Sequence, residues 1–483
     1  MSLLPPGERR SLGLKFLLVV ALAALMTVPT VLVWGLIAER SERAQAVIAD
    51  VGQTFGGPQT FTGPILAAPY TQTLATPATP ENPRPQPTVN RGWYIVFAKT
   101  GAADAVVETG VRARGEGELF KVRVYTADIA FKARFDIPEA LVAAPESAVI
   151  DWSRAVLLVG VGDARGAAAP AGISITGRGD IPLEPGSAYA AVLGGGAPGD
   201  PSSYAPGPRA FVSGPGQWLV AQVGSFVRPG VGFDAAAALN FTGVERLSLT
   251  PFARDTELSM RGNWPHVGYF GAFSAVAEPS TTEGFSARWS VPFIRRNLAE
   301  AGEAGSLSNL SSLSVQTAFV DPANPYNWVN RALAYSPLFV GIVFLVYFMF
   351  EATSPRRAHP AQYVLVGLAQ VIFYLLLLSF AERIGFDLAF LIAAGATVAQ
   401  IGWYAGVVFK DARRGMVATG IFALLYILIY LLLKLDDFAL LVGSIASFVI
   451  VLAVMVATRN LDWYGLSQPR NESPALPPDW KPS

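Results

Sequence analysis

The chain of 483 residues contains no cysteine and only two histidines, His266 and His359. Without cysteine there are no disulfides, no iron–sulfur clusters and no thiolate catalysis, and the redox compartment stays open. Two histidines exclude a multi-histidine metal site. Charge is also scarce: 15% of residues are Asp, Glu, Lys or Arg, against about 25% in ordinary soluble domains. Lys plus Arg equals Asp plus Glu at 36 each, so no overall basic field points to nucleic acid. A G-x-S-x-G elbow, an S-x-x-K pair and an H-E-x-x-H motif are all missing, which removes the familiar hydrolase routes. Neither a cofactor nor an enzyme activity is expected.

What the chain has instead is hydrophobicity. Apolar residues make up 52% of it, and the mean hydropathy is +0.39. Six stretches reach the roughly 20 apolar residues that a helix needs to cross a bilayer. They are 14–37, 333–350, 362–380, 386–409, 415–433 and 438–457. The first is too long for a signal-peptide core, and the triplet Ala21-Leu22-Ala23 lies inside the run rather than after it. It reads as an uncleaved signal anchor.

Lys and Arg in short loops mark the cytoplasmic side. Arg9, Arg10, Lys15, Arg356, Arg357, Lys410, Arg413, Arg414 and Arg459 all fall on one side of a six-span layout. The opposite short loops hold only Arg383 and Lys434, each beside an acidic neighbour. The layout expected is therefore a cytoplasmic N-terminus (1–13), an anchor (14–37), an exported domain (38–332), five further spans (333–457) and a cytoplasmic tail (458–483).

Residues 38–332 have a different texture. The start, 38–55, is helix-compatible and reads as an extension of the first span. Short segments with period near two follow, at 92–99, 119–137, 236–252, 256–264 and 285–293, with a more buried strand at 155–163. The run 62–70, flanked by prolines, suits an edge strand or the start of a sheet. Pro- and Gly-rich linkers lie at 73–90 and 194–209. The fold class expected is a polytopic α-helical membrane protein with a large exported, mostly antiparallel β-sandwich domain between spans one and two.

Three clusters stand out as candidate binding residues. In "GVGDARG" (160–166), Asp163 and Arg165 follow a strand; the glycines could cradle a phosphate, but no Lys-Ser/Thr follows, and a structural turn with the two charges paired is the plainer reading. In "NWPHVGYFGAF" (263–273), Trp264, His266 and Tyr269 form either a binding spot or an aromatic turn bent at Pro265. In "SPRRAHP" (354–360), Arg356, Arg357 and His359 serve as a topology signal, or as a contact for anionic lipid heads or a cytoplasmic partner. Inside the spans, Gln370 and Gln400 suit hydrogen bonds between helices.

The strings "VGDARG" (161–166), "NWPH" (263–266), "HPAQYVLVGLAQVIFYLLLLSFAERIGF" (359–386) and "TRNLDWY" (458–464) resemble, in order, those of the CreD inner-membrane proteins. The longest of these is the specific one, and the likeness is weakest at 73–90 and 194–209. The resemblance implies a Gram-negative inner-membrane protein tied to a two-component system and to cell envelope integrity, with altered colicin and β-lactam responses. It carries over no catalytic residue. Partners expected are membrane lipids and envelope proteins or peptidoglycan-related components; a transporter or flippase built from the last spans is the alternative.

Overall fold

The computed structural model describes residues 12–74, 87–114, 120–139, 144–186, 216–277, 281–305, 310–321, 324–352, 358–435 and 438–459. These fall into two compact units: residues up to 42 together with those from 323 on, and residues 43–322.

The first unit is helical. Helices α1 (Leu12–Leu25) and α2 (Thr27–Phe55) form one nearly continuous rod, offset at Met26. Pro29 has no N–H to give the preceding turn, and Thr27 and Thr30 hydroxyls bond back to the Ala24 and Met26 carbonyls at 2.7 and 2.9 Å. The helical reading of 38–55 agrees with α2, although the part of it beyond residue 42 belongs to the second unit. A four-residue helix, α3 (Phe293–Arg296), belongs to that unit as well.

The helices that close the first unit are α4 (Pro325–Ala334), α5 (Ser336–Ala352), α6 (Pro360–Ile384), α7 (Phe386–Phe409), α8 (Ala412–Lys434) and α9 (Ala439–Thr458). Among the described residues four helices are long and apolar enough to cross a membrane, and a fifth if α4 and α5, bent by 49°, count as one span. The last apolar stretch, Leu441–Val456, is shorter. Small residues let α7 and α8 approach: a Cβ on Gly402 would lie 2.0 Å from Thr419 Oγ1, and one on Gly415 would lie 3.0 Å from the Gly406 Cα. Close backbone approach through small residues four apart is a common way to pair helices in lipid.

The second unit is almost all β. Its first strands are β1 (Gln59–Leu74), β2 (Thr88–Val96), β3 (Ala98–Arg114), β4 (Phe120–Phe135), β5 (Ala148–Ile150) and β6 (Val156–Val161). Next come β7 (Gly172–Ile175), β8 (Gly179–Pro182), β9 (Glu184–Pro185), β10 (Gln217–Gln222), β11 (Phe233–Val244) and β12 (Arg246–Thr250). The last are β13 (Ala253–Gly262), β14 (Val267–Gly271), β15 (Val276–Ala277), β16 (Phe285–Val291), β17 (Ala301–Glu303) and β18 (Val315–Phe319).

They make two sheets. The ten-stranded one runs β14-β18-β12-β1-β6-β10-β9, with β2 and β5 also on β1 and β17 on β2. The eight-stranded one runs β15-β16-β13-β3-β4-β11-β7-β8. Pairing is antiparallel except for β1 with β12 and β13 with β3. Inward residues of both sheets, among them Phe61, Phe131, Phe241, Phe252 and Trp289, share one buried core. Strand β4 shows why: its residues alternate strictly between core and solvent from Tyr125 to Phe135.

Two expectations change. Of the two readings of the run 62–70, the edge strand falls: it lies inside β1, the first strand of the sheet in chain order, which pairs with β12, β2, β5 and β6. Its Gly63 and Pro64 fall at a register shift between Thr62 and Ile65, where the missing proline N–H costs no ladder bond. The run 236–252 divides into β11 and β12 at Glu245, which takes a left-handed φ of 58°.

The chain enters and leaves this unit at one place. Val51 of α2 packs with Val122 and Val244, while Phe319 N–H donates to the Glu245 carbonyl at 2.8 Å.

Candidate functional site

The loop carrying Asp163 and Arg165 is a packed turn. Asp163 caps it, its Oδ1 accepting from Arg165 N at 2.9 Å, and the Arg165 Nη2 lies 2.6 Å from Asp163 Oδ2. Gln59 of β1 stitches the loop down, donating to the Asp163 carbonyl and accepting from its N–H, both at 3.1 Å. Gly56, with φ of +89°, lets this contact close: a Cβ there would stand 2.6 Å from Gly166 Cα. The guanidinium is thus neutralised by its own turn, as the plainer reading held.

Trp264 and His266 belong to the exit region. The Trp264 Nε1–H donates to the Val320 carbonyl at 3.0 Å, and the His266 carbonyl accepts from Val320 N–H at 2.9 Å. The Arg123 guanidinium lies 3.8 Å from the Trp264 ring centroid and 3.1 Å from Asp321 Oδ1. Tyr269 stacks edge-on against Trp289 at 5.9 Å, and burial raises its hydroxyl pKa. These contacts hold the exit segment to the sheet.

His359 caps α6. Its Nδ1 accepts from Ala361 N–H at 3.2 Å, and Gln362 Oε1 accepts from His359 N–H at 2.9 Å, a capping box with Pro360 in the first turn. Arg356 and Arg357 lie outside the described residues.

Sequence reasoning missed two features. The first is Glu351, 9% exposed at the end of α5. It pairs with Lys15 Nζ at 2.7 Å and accepts from Tyr363 Oη–H at 3.0 Å. The expected span stopped at 350, one residue short, and Lys15 had been read only as a topology signal. An acid at the end of one apolar run and a lysine at the start of another is the signal that would have paired them.

The second is the outer face of the eight-stranded sheet, which forms a trough of about 700 Å³. Cross-strand register sets Ser290, Glu257, Ala102, Lys132, Ala236 and Ser174 in one row. Asp255, Thr100, Arg134 and Asp234 form the next. The floor is β3, with Thr100, Gly101 and Ala102; the acids Asp255 and Glu257 of β13 stand on one side and the bases Lys132 and Arg134 of β4 on the other, with Asp234 of β11 beyond them opposite Arg134. Directly across the ladder Glu257 faces Ala102 and Ser290, and Lys132 faces Ala102 and Ala236; opposite charges, Arg288 and Asp234 among them, stand diagonal to them. Neither has an ion-pair partner among the described residues. No aromatic ring lines the trough there. Its size is that of a small-ligand site, and its chemistry is recognition by charge and hydroxyl. Among the described residues no group of acids and histidines is arranged to hold a metal ion.

Comparison with known proteins adds a lineage. A putative nutrient binding protein from Legionella pneumophila covers 64% of this chain and 89% of its own at 7% identity, with a TM-score of 0.27, a likeness that carries no argument. The inner membrane protein CreD of Escherichia coli is 29% identical over 450 residues, 92% of each chain. The family model for inner membrane protein CreD matches residues 11–464. With that match running from the first apolar helix past the last, the chain belongs to the CreD family of inner membrane proteins.

Proposed function

We propose that this inner-membrane protein supports cell envelope integrity without catalysis, its β unit lying on the periplasmic side and binding an envelope component through the trough on the eight-stranded sheet. The observation that carries this reading is the pair Lys132 and Glu257, two charges left without ion-pair partners among the described residues, over a floor of small residues. In water such charges are free to meet a ligand; on an ordinary sheet face, cross-strand neighbours of opposite sign take them up. The orientation proposed has six spans and both termini in the cytoplasm, following the distribution of Lys and Arg. Arg356, Arg357 and His359 then meet anionic lipid heads or a partner on the cytoplasmic face.

The test is complementation of a deletion strain, scored by sensitivity to detergent and β-lactam, at matched membrane level. The double variant Lys132→Ala/Glu257→Ala is expected to lose rescue, and full rescue by it would refute the trough as the functional surface. A second reading, transport by the helical unit, is favoured by the ion pair of Lys15 with buried Glu351. Proteoliposomes that move lipid or a drug-like solute with the wild-type chain, but not with Glu351→Gln, would support it.

A further inference from the structure

The two walls of the trough differ in sign, and that difference narrows the ligand. On β13, Asp255 and Glu257 point outward as neighbours two residues apart; on β4, Arg134 and Lys132 do the same. Between them runs β3, where the facing positions are Thr100 and Ala102. Neighbouring strands lie about 4.8 Å apart, so the two walls stand about 10 Å apart at the backbone. No residue of β3 between them carries a charge at these two positions. Asp255 Oδ1 accepts from Phe293 N–H at 3.0 Å, and Arg134 lies opposite Asp234 and 3.9 Å from Asp136, so Glu257 and Lys132 are the uncommitted charges of the two walls among the described residues.

We infer that the trough takes a short zwitterionic peptide with free ends, its ammonium against Asp255 and Glu257 and its carboxylate against Lys132 and Arg134; this deepens the binding reading above and rests on it. Three arguments favour that class over others. A ligand with a single sign of charge would face repulsion from one wall. A sugar bound by stacking would want an aromatic ring, and none of the described lining residues supplies one. An apolar ligand would find hydroxyls and charges where it needs a greasy floor. A peptide of two or three residues, extended at about 3.5 Å per residue, spans the remaining gap once the wall side chains lean over it. The small side chains of Thr100 and Ala102 leave its backbone room, and the hydroxyl of Thr100 is within the same lining to meet its amides.

The experiment is calorimetric titration of the detergent-solubilised full chain with four peptide probes, trialanine, N-acetyl-trialanine, trialanine amide and the doubly capped N-acetyl-trialanine amide, and with inorganic phosphate. Trialanine is expected to bind, and the doubly capped form at least tenfold more weakly. Glu257→Ala should weaken trialanine at least fivefold while leaving N-acetyl-trialanine unchanged, because that probe has no ammonium for Glu257 to meet. Lys132→Ala should give the mirror result with trialanine amide. Raising the salt should weaken trialanine and spare the doubly capped probe. Equal binding of capped and uncapped peptides overturns the inference, as does silence toward trialanine at millimolar concentration. Binding of inorganic phosphate that is insensitive to Glu257→Ala, with no binding of trialanine, overturns it in favour of a simple anion site. If those results come together with loss of envelope rescue by the double trough variant, only the ligand class falls and the binding surface stands; full rescue removes the surface itself.

Discussion

One pair of charges in each unit is treated in the opposite way. In the helical unit two acids near the ends of apolar helices are joined to lysines, Glu351 to Lys15 at 2.7 Å and Asp387 to Lys434 at 2.6 Å, each acid also accepting from a tyrosine hydroxyl. In the β unit, where other charges do pair across the sheets, Lys132 and Glu257 stand on one face of one sheet without ion-pair partners among the described residues. Solvent explains the contrast. An unpaired charge against hydrocarbon is expensive, so the fold must supply a counter-charge. On a wet sheet face water supplies the solvation, and a charge can be kept available for something else. The same residue types thus mark structure in one unit and a candidate site in the other.

The largest effect expected from breaking this contrast is at Glu351. Replacing it with Ala leaves Lys15 without its carboxylate and Tyr363 without its acceptor. Removing one partner of a buried pair costs roughly 3–5 kcal/mol; here the lower part of that range is expected, because Lys15 sits at a helix start and its long stem can carry the ammonium toward water. Thermal unfolding in detergent should show a clear drop for Glu351→Ala and recovery in Lys15→Met/Glu351→Leu. A double variant as unstable as the single one would mean that the pair is not what holds α1 to α5.

The next effect sharpens the comparison through packing, since the helical unit depends on close backbone approach where the β unit depends on side-chain burial. A leucine at Gly402 must displace Thr419, whose Oγ1–H donates to the Gly415 carbonyl at 2.9 Å. Overpacking of this kind costs about 1–3 kcal/mol. The same change at Gly395, which has nothing within 4 Å of the added Cβ, is the control. Equal melting temperatures for Gly402→Leu and Gly395→Leu would show that α7 and α8 are not packed as tightly as the glycines imply.

The sequence announced some of this and hid the rest for physical reasons. Apolar runs and period-two strands were legible because burial acts on every residue of an element: β4 reads as core and solvent in alternation, and β6 as a strand buried throughout. Pairing partners were not legible. Gly63 and Pro64 look like the signature of an edge, yet a register shift admits them to the interior of the ten-stranded sheet. The run 236–252 looks continuous until Glu245 takes a left-handed turn. His359 reads as part of a topology signal or of a lipid or partner contact, and nothing local announced that its Nδ1 also caps a helix. The trough was hidden most deeply: Glu257 and Lys132 are 125 positions apart in the chain, and only the pairing of β13 with β3, and β3 with β4, sets them across one floor. No local pattern encodes that.

The smallest effect expected concerns Glu245, where the β unit behaves like the helical one. Burial raises the pKa of this carboxyl, and the neighbouring Arg246 only partly offsets the shift. A carboxyl with a folded pKa above its unfolded value binds its proton more tightly in the fold. Its contribution therefore favours the folded state at pH below the unfolded value, and is lost as pH rises through the folded one. At neutral pH the ionised form is a burden at the junction where Phe319 N–H meets the Glu245 carbonyl. Glu245→Gln removes the charge and keeps the shape. At pH 7 it should raise the melting temperature by about 2 °C, the shift that half to one kcal/mol gives in a domain of this size. At pH 4, where more of the wild-type carboxyl carries its proton, the difference between the two proteins should shrink. A stabilisation that is the same at both pH values would not come from the charge, nor from the left-handed backbone, which an amide side chain tolerates no better than a carboxylate of equal length, and would leave the charge without a role.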